Sequence, residues 1–198
     1  MQSPARRDLI ADAAITVIAG HGLRGLTHRA VDAAAGLPAG STSYYARTRA
    51  ALIELVLSRL LALDLHDAAV ADNRPPSLDG PDDVVALGVG YVLNAIGPQR
   101  SRALARFELA LEATRRPELR ATYDRMGAQL REMLTAVMAG VGSADPPRHA
   151  WALAAWLEGA VFEATAGAGG ANPPDATELT ASLGDVLRGL LATVTARH

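Results

Sequence analysis

The sequence predicts an all-α protein of about nine helices, a short N-terminal domain followed by a longer helical body. Three observations predict it. The hydrophobic share of 49% is carried by Ala and Leu with little β-branched or aromatic content, a helix-favouring composition. The eleven prolines and eighteen glycines gather between apolar runs instead of inside them, as punctuation between helices does. Within the runs, apolar residues recur at three- and four-residue spacing.

Length and charge add organisation. A chain of 198 residues can bury a sizeable core in one or two domains. The net charge of −2 alone argues against a nucleic-acid binder, but its distribution argues the other way. Residues 1–50 hold six arginines against three aspartates, whereas the remainder holds 13 arginines against 18 acids and no lysine occurs anywhere. A basic head on an acidic body matches a DNA-binding domain, residues 1–49, joined to a body, residues 50–198, that does not touch DNA. With no cysteine, disulfides and thiolate metal sites are excluded. No uninterrupted apolar stretch of about 18 residues is present, and Met1–Asp8 lacks the apolar core of a signal peptide, so a soluble cytoplasmic protein without membrane contact is expected.

The first helix is expected from Pro4 or Ala5 to Ala19, with Leu9, Ile10, Ala13, Ala14, Val17 and Ile18 on one face and Arg6 and Arg7 at the end near a phosphate backbone. Gly20-His21-Gly22 ends it, and Leu23 and Leu26 tuck the loop into a small core. His21 reads as a capping or surface residue, since no second histidine stands at metal-site spacing. Thr27 is an N-cap residue for a second helix carrying Ala30, Val31, Ala34 and Ala35. Gly36 stops that helix in the left-handed conformation, and Pro38 cannot continue it. Ser41 offers a hydroxyl at the start of a very short third helix, Thr42 to Tyr45, which ends before Thr48, a further N-cap residue. Helix, glycine turn, short helix is the layout of a helix-turn-helix, whose second helix enters the major groove of DNA.

This stretch resembles the N-terminal domain of the tetracycline-repressor (TetR/AcrR) family. Thr27, Arg29, Val31, Ala35, Gly36, Leu37, Gly40, Ser41, Thr48 and Arg49 fall on the family's pattern without a gap. Asp32, Ser43 and Ala46 depart from it, standing where a small alanine, a tyrosine and a phenylalanine are usual, and they read as local repacking beside Tyr44 and Tyr45.

Roles follow from chemistry. Arg29 has the planar fork suited to guanine O6 and N7, and the resemblance implies a base or phosphate contact there. Thr27 and His28, at the positive end of their helix, suit phosphate oxygens. Ser41 and Thr42 can reach base edges, and Ala39 and Gly40 allow close approach of the backbone. Tyr44 and Tyr45 can donate hydroxyls to phosphates or meet a thymine methyl, although Tyr44 is expected to pack rather than stand exposed. The resemblance makes Arg49 a phosphate contact.

The fourth helix is expected from Arg49 to Ala71, striped by Leu52, Ile53, Val56, Leu60, Leu63 and Val70, a rod of about 30 Å able to carry a displacement. Asn73–Pro81 breaks it as a mobile loop or hinge. Five further helices are expected near Asp82–Ile96, Gln99–Thr114, Pro117–Val141, Pro147–Ala166 and Asp175–Thr195, most opening at prolines. In the sixth, Glu108 and Glu112 edge an apolar face with Phe107 and Leu111. Such carboxylates can bind a cationic ligand group or pair with an arginine such as Arg115 or Arg131; no charge relay or metal constellation accompanies them. The eighth helix, Trp151 to Phe162, is apolar nearly all round and needs cover on every side. With the striped ninth it predicts a two-fold four-helix bundle between two copies, an arrangement the resemblance also implies. Gly167–Pro174 reads as a flexible connector.

The sequence thus predicts a ligand-responsive repressor: a homodimer joined through its last two helices, bound to a palindromic double-stranded operator and released by a small-molecule inducer. Phe107, Glu108, Leu111, Tyr123, Met126 and Trp156 are the expected ligand residues, and no cofactor is expected. Activation, or control by a protein partner, remains the alternative. An enzyme is disfavoured, since no nucleophile–base pair, phosphate-cradling glycine loop or metal spacing is visible.

Overall fold

The computed structural model describes residues 4–71 and 80–192. Among them are α1 (Pro4–Gly25), α2 (His28–Ala34), α3 (Ser41–Tyr45), α4 (Arg49–Ala71), α5 (Pro81–Ile96), α6 (Arg100–Ala113), α7 (Pro117–Gly140), α8 (Pro146–Thr165) and α9 (Ala176–Ala192), with one 3-10 turn at Ala168–Ala171 and no strand among the described residues. The all-α fold is the expected one. The loop expected at Asn73–Pro81 lies outside the described residues apart from its last two, as do the side chain of Val70 and the residues after Ala192.

Local chemistry sets the helix ends. The run of α1 continues past Ala19 through Gly20 and His21 and breaks at Gly22, where φ is 63° and ψ 179°. Proline opens α7 and α8 as the sequence suggested, and it also opens α5, where Pro81 was expected to close the preceding loop. Asp145 caps α8 by accepting the Arg148 N–H. Asp175 and Glu178 form a reciprocal box at the start of α9: the Asp175 carboxylate accepts the N–H groups of Thr177 and Glu178, while that of Glu178 accepts the N–H of Asp175. The glycine-rich connector between α8 and α9 is an ordered 3-10 turn, its Gly169 N–H held by Glu163 at 2.9 Å.

The chain packs as two compact units. The first comprises Met1–Val70 and Ser101–Met126. Its core joins Ile10, Ala14 and Ile18 of α1, Val31 of α2, Leu52, Val56 and Leu60 of α4, Ala105 and Leu109 of α6 and Leu119 of α7. Leu9, expected on the buried face of α1, is 41% exposed. By packing, α4, α6 and the first half of α7 therefore group with the N-terminal helices. Ion pairs stitch this unit: Arg59 of α4 grips Asp12 of α1 through two bonds of 2.8 and 2.9 Å and reaches Asp8 at 3.2 Å, and Arg106 of α6 meets Asp64 of α4 at 2.8 Å.

The second unit comprises Ala71–Arg100 and Gly127–His198. In it α5 packs on α8 and α9, burying Val84, Val89 and Val92 with Leu153, Val161, Leu179, Leu183 and Leu187. The approach of α5 to α9 is close at a glycine: a Cβ on Gly88 would stand 2.5 Å from Cδ2 of Leu183 and 3.3 Å from Cδ2 of Leu157, so these side chains would have to shift. Buried His149 links α8 to the preceding loop. The Arg148 guanidinium can only donate, so the His149 Nε2 accepts at 2.8 Å and its Nδ1 donates to the Ser143 hydroxyl at 2.7 Å. No helix among the described residues is long and apolar enough to cross a membrane.

Gly88→Leu should overpack the α5–α9 contact and destabilise the protein by about 1–3 kcal/mol. Urea unfolding followed by circular dichroism checks this, and an unchanged midpoint would mean that the two helices are not held at that distance.

Candidate nucleic-acid interface

Residues 26–49 form the expected helix-turn-helix, built by a chain of local bonds. The Thr27 hydroxyl accepts the Ala30 N–H at 3.1 Å and caps α2. Beyond its C-terminus, Gly36 takes φ 64°. The Gly36 N–H then bonds Ala33 O at 3.2 Å and the Leu37 N–H bonds Asp32 O at 2.9 Å, the paired bonds of a Schellman motif.

The start of α3 is different. Its N-cap is Gly40, at φ 90°, which has no side chain to offer. Asp32, reaching across from α2, supplies the cap. One of its carboxylate oxygens accepts the Gly40 N–H at 2.7 Å, and the other accepts both the Thr42 N–H at 2.7 Å and the Thr42 hydroxyl at 2.6 Å. Asp32 is 3% exposed and Thr42 fully buried. Burial alone would raise this carboxyl, but the Thr42 hydroxyl, the Thr42 and Gly40 N–H groups and nearby His28 together hold it below the usual carboxylate range. Asp32 is therefore a structural anchor, a role that local repacking did not convey. Its signal was present: an acid placed before a glycine-capped helix that lacks a cap of its own.

The expected reading residues separate into two groups. Arg29, Ala39, Gly40 and Tyr44 are exposed, as is Thr27 apart from its capping bond. Tyr44 stands 64% exposed, against the expectation that it packs, because Tyr45 takes the inward position. Tyr45 packs on the core of the first unit and meets the Tyr44 ring edge-on, with centroids 5.1 Å apart. It also borders an open cleft of about 390 Å³ lined by Ala5, Arg6 and Leu9.

The other group is engaged within the protein. Thr42 serves Asp32 and is too buried to meet a base edge as it stands. The Ser41 hydroxyl donates to Pro38 O at 2.6 Å and so tightens the turn in place of capping α3. His28 donates from Nε2 to Ala46 O at 2.6 Å. The Arg49 guanidinium donates to the carbonyls of Leu23 and Leu26, so the side chain expected on a phosphate clamps the α1–α2 turn instead.

Comparison with known proteins fits this geometry. Residues 79–193 match the family model described as the tetracyclin repressor-like C-terminal domain. The chain belongs to the TetR family. A TetR-family member from Streptomyces coelicolor A3 is 29% identical, with a TM-score of 0.69 over 92% of this chain and 98% of the other. The multidrug binding protein EbrR, complexed with ethidium, is 28% identical, with a TM-score of 0.67 over 93% and 99% of the two chains. A transcriptional regulator from Saccharomonospora viridis in complex with choline shares the fold at a TM-score of 0.77, with 19% identity over 94% and 97% of the chains. No curated protein matches significantly. TetR-family membership makes this chain a transcriptional regulator rather than an enzyme.

The expected ligand residues of this TetR-family chain fall in both units, Phe107, Glu108, Leu111, Tyr123 and Met126 in the first and Trp156 in the second. Tyr123 and Met126 pack on the core of the first unit, and the Arg120 guanidinium lies 5.2 Å from the Tyr123 ring centroid. Glu108 faces the α1–α2 turn, its carboxylate accepting the Leu23 N–H at 3.4 Å beside Gly22. Leu111 is 59% exposed, and Phe107 is half-buried in the same unit. Trp156 is half-buried on α8, in the second unit. Spacing alone places Leu111 on the same face of α6 as Phe107, and does not show its exposure. Glu112 takes the arginine alternative, paired with Arg115 and Arg116, which hold its carboxyl below the usual range.

The Asp32 anchor gives a signed pH dependence. Its folded value lies below that of an unfolded aspartate, about 3.9. Its stabilisation is thus complete above that pH and lost as the pH falls through the folded value. Asp32→Asn should cost about 1–3 kcal/mol near neutrality. The difference from wild type should shrink as the pH drops below about 4. Urea midpoints measured across that range check it, and a constant difference would detach the effect from the charge.

Proposed function

We propose that this regulator is a homodimeric repressor whose residues 1–49 read a palindromic double-stranded operator and whose body, residues 50–198, dimerises and responds to a small-molecule inducer. The observation that carries the reading is the α2–α3 pair. A short helix is anchored from behind by Asp32, while Arg29, Ala39, Gly40 and Tyr44 stand exposed around it. That leaves the planar fork of Arg29 available for guanine or phosphate.

A second copy is supported by α8. Its buried side presents Ala150, Leu153, Val161 and Ala164. The opposite side leaves Trp151 66% exposed and Phe162 46% exposed, with Ala155 and Gly159 exposed between them. Two large rings flanking small residues suit close packing against an equivalent helix, and α9 leaves Ser182, Asp185 and Gly189 exposed beyond its buried leucines. The two-fold pairing of α8 and α9 then sets two reading heads on successive half-sites. The ethidium bound by EbrR supports amphipathic aromatic cations as the first inducers to screen. An inducer need favour the released state by only a few kcal/mol to empty the operator.

In a gel-shift assay on the promoter beside its own coding region, the protein should bind with marked salt sensitivity, and Arg29→Ala should weaken binding by about ten- to a hundredfold. Sedimentation should give a dimer that Trp151→Glu with Phe162→Glu converts to monomer. A wild-type monomer, or an Arg29 variant of unchanged affinity, would overturn the respective part.

A further inference from the structure

The charges of the first unit are unevenly satisfied. All three acids of residues 1–50 have partners within the protein: Arg59 holds Asp8 and Asp12, and Asp32 accepts from Gly40 and Thr42. Among the arginines of the same stretch, Arg49 is committed to two backbone carbonyls. Arg6, Arg24, Arg29 and Arg47 are exposed and have no partner among the described residues.

Arg47 stands out for its setting. The residue before it, Ala46, is buried; its N–H bonds Thr42 O at 2.9 Å and its carbonyl accepts from His28 at 2.6 Å. The residue after it, Thr48, caps α4, its hydroxyl accepting the Ala51 N–H at 3.1 Å and its carbonyl the Leu52 N–H at 3.0 Å. The backbone is thus fixed on both sides of an unengaged guanidinium, immediately beyond the reading helix.

We propose that Arg47, not Arg49, supplies the phosphate contact at the end of α3. This rests on the DNA-reading function proposed above. Drawing Arg49 to a phosphate would strip two part-buried carbonyls of their donor, whereas Arg47 breaks no bond to reach one. Arg49 is the position that carries the motif, and Arg47 the position that carries the available charge.

The test is anisotropy titration of a labelled duplex of mixed sequence, about 30 base pairs long so as to span successive half-sites, over a series of salt concentrations. Arg47→Ala should reduce the slope of log K against log salt by about one per protomer, with an unchanged thermal midpoint. Arg47→Lys should restore the slope. Arg49→Met should lower the thermal midpoint and keep the wild-type slope. A wild-type slope for Arg47→Ala overturns the proposal, and so does a lowered slope confined to Arg49→Met. Should the Arg49 variant fail to fold, the two Arg47 variants decide alone. Wild-type protein without salt-dependent duplex binding would overturn the DNA-reading function, and this assignment with it.

Discussion

A helix of five residues contains little more than one hydrogen-bonded turn, far below the length at which an isolated helix persists in water. In this chain α3 is such a helix, and it opens on a glycine that cannot cap it. The carboxylate of Asp32 compensates by taking three donors from Gly40 and Thr42 while itself out of solvent. The bonds run between α2 and α3, so they fix where the short helix lies as well as whether it forms. The exposure of Tyr44, the inward turn of Tyr45 and the course of the chain into α4 go with that placement.

Arginine has two duties in the first unit. Some guanidiniums act as internal ties, where the planar fork engages two acceptors at once: Arg59 on Asp12, Arg49 on the carbonyls of Leu23 and Leu26. Others, Arg6, Arg24, Arg29 and Arg47, are exposed without a partner among the described residues, and their positive field is less compensated than the sequence total implies, because the neighbouring acids are already neutralised from within. The formal charge of a stretch therefore understates what it presents to a polyanion when structure has assigned its acids to partners.

Much of this was legible in the sequence, for identifiable reasons. Proline and glycine act on the residue that carries them, so the starts of α7 and α8 and the stop at Gly36 could be read locally. Apolar spacing found the stripes of α4 and α9. What escaped depends on partners distant in the chain. Arg49 reaches back 23 and 26 residues to its carbonyls, and Glu108 lies 85 residues from Leu23. Nor does spacing reveal which of two adjacent tyrosines turns inward. The motif positions marked a surface correctly, but its individual side chains had to be placed by the bonds around them.

The turn between α1 and α2 is fastened from two directions, by Arg49 from α4 and by Glu108 from α6. The second fastening is already long at 3.4 Å. One residue of helical rise is about 1.5 Å, so a slip of α6 by that amount along its axis takes the carboxylate out of range of the Leu23 amide. Amide exchange at Leu23 is consequently a built-in gauge of the axial register of α6, readable without any knowledge of what moves it.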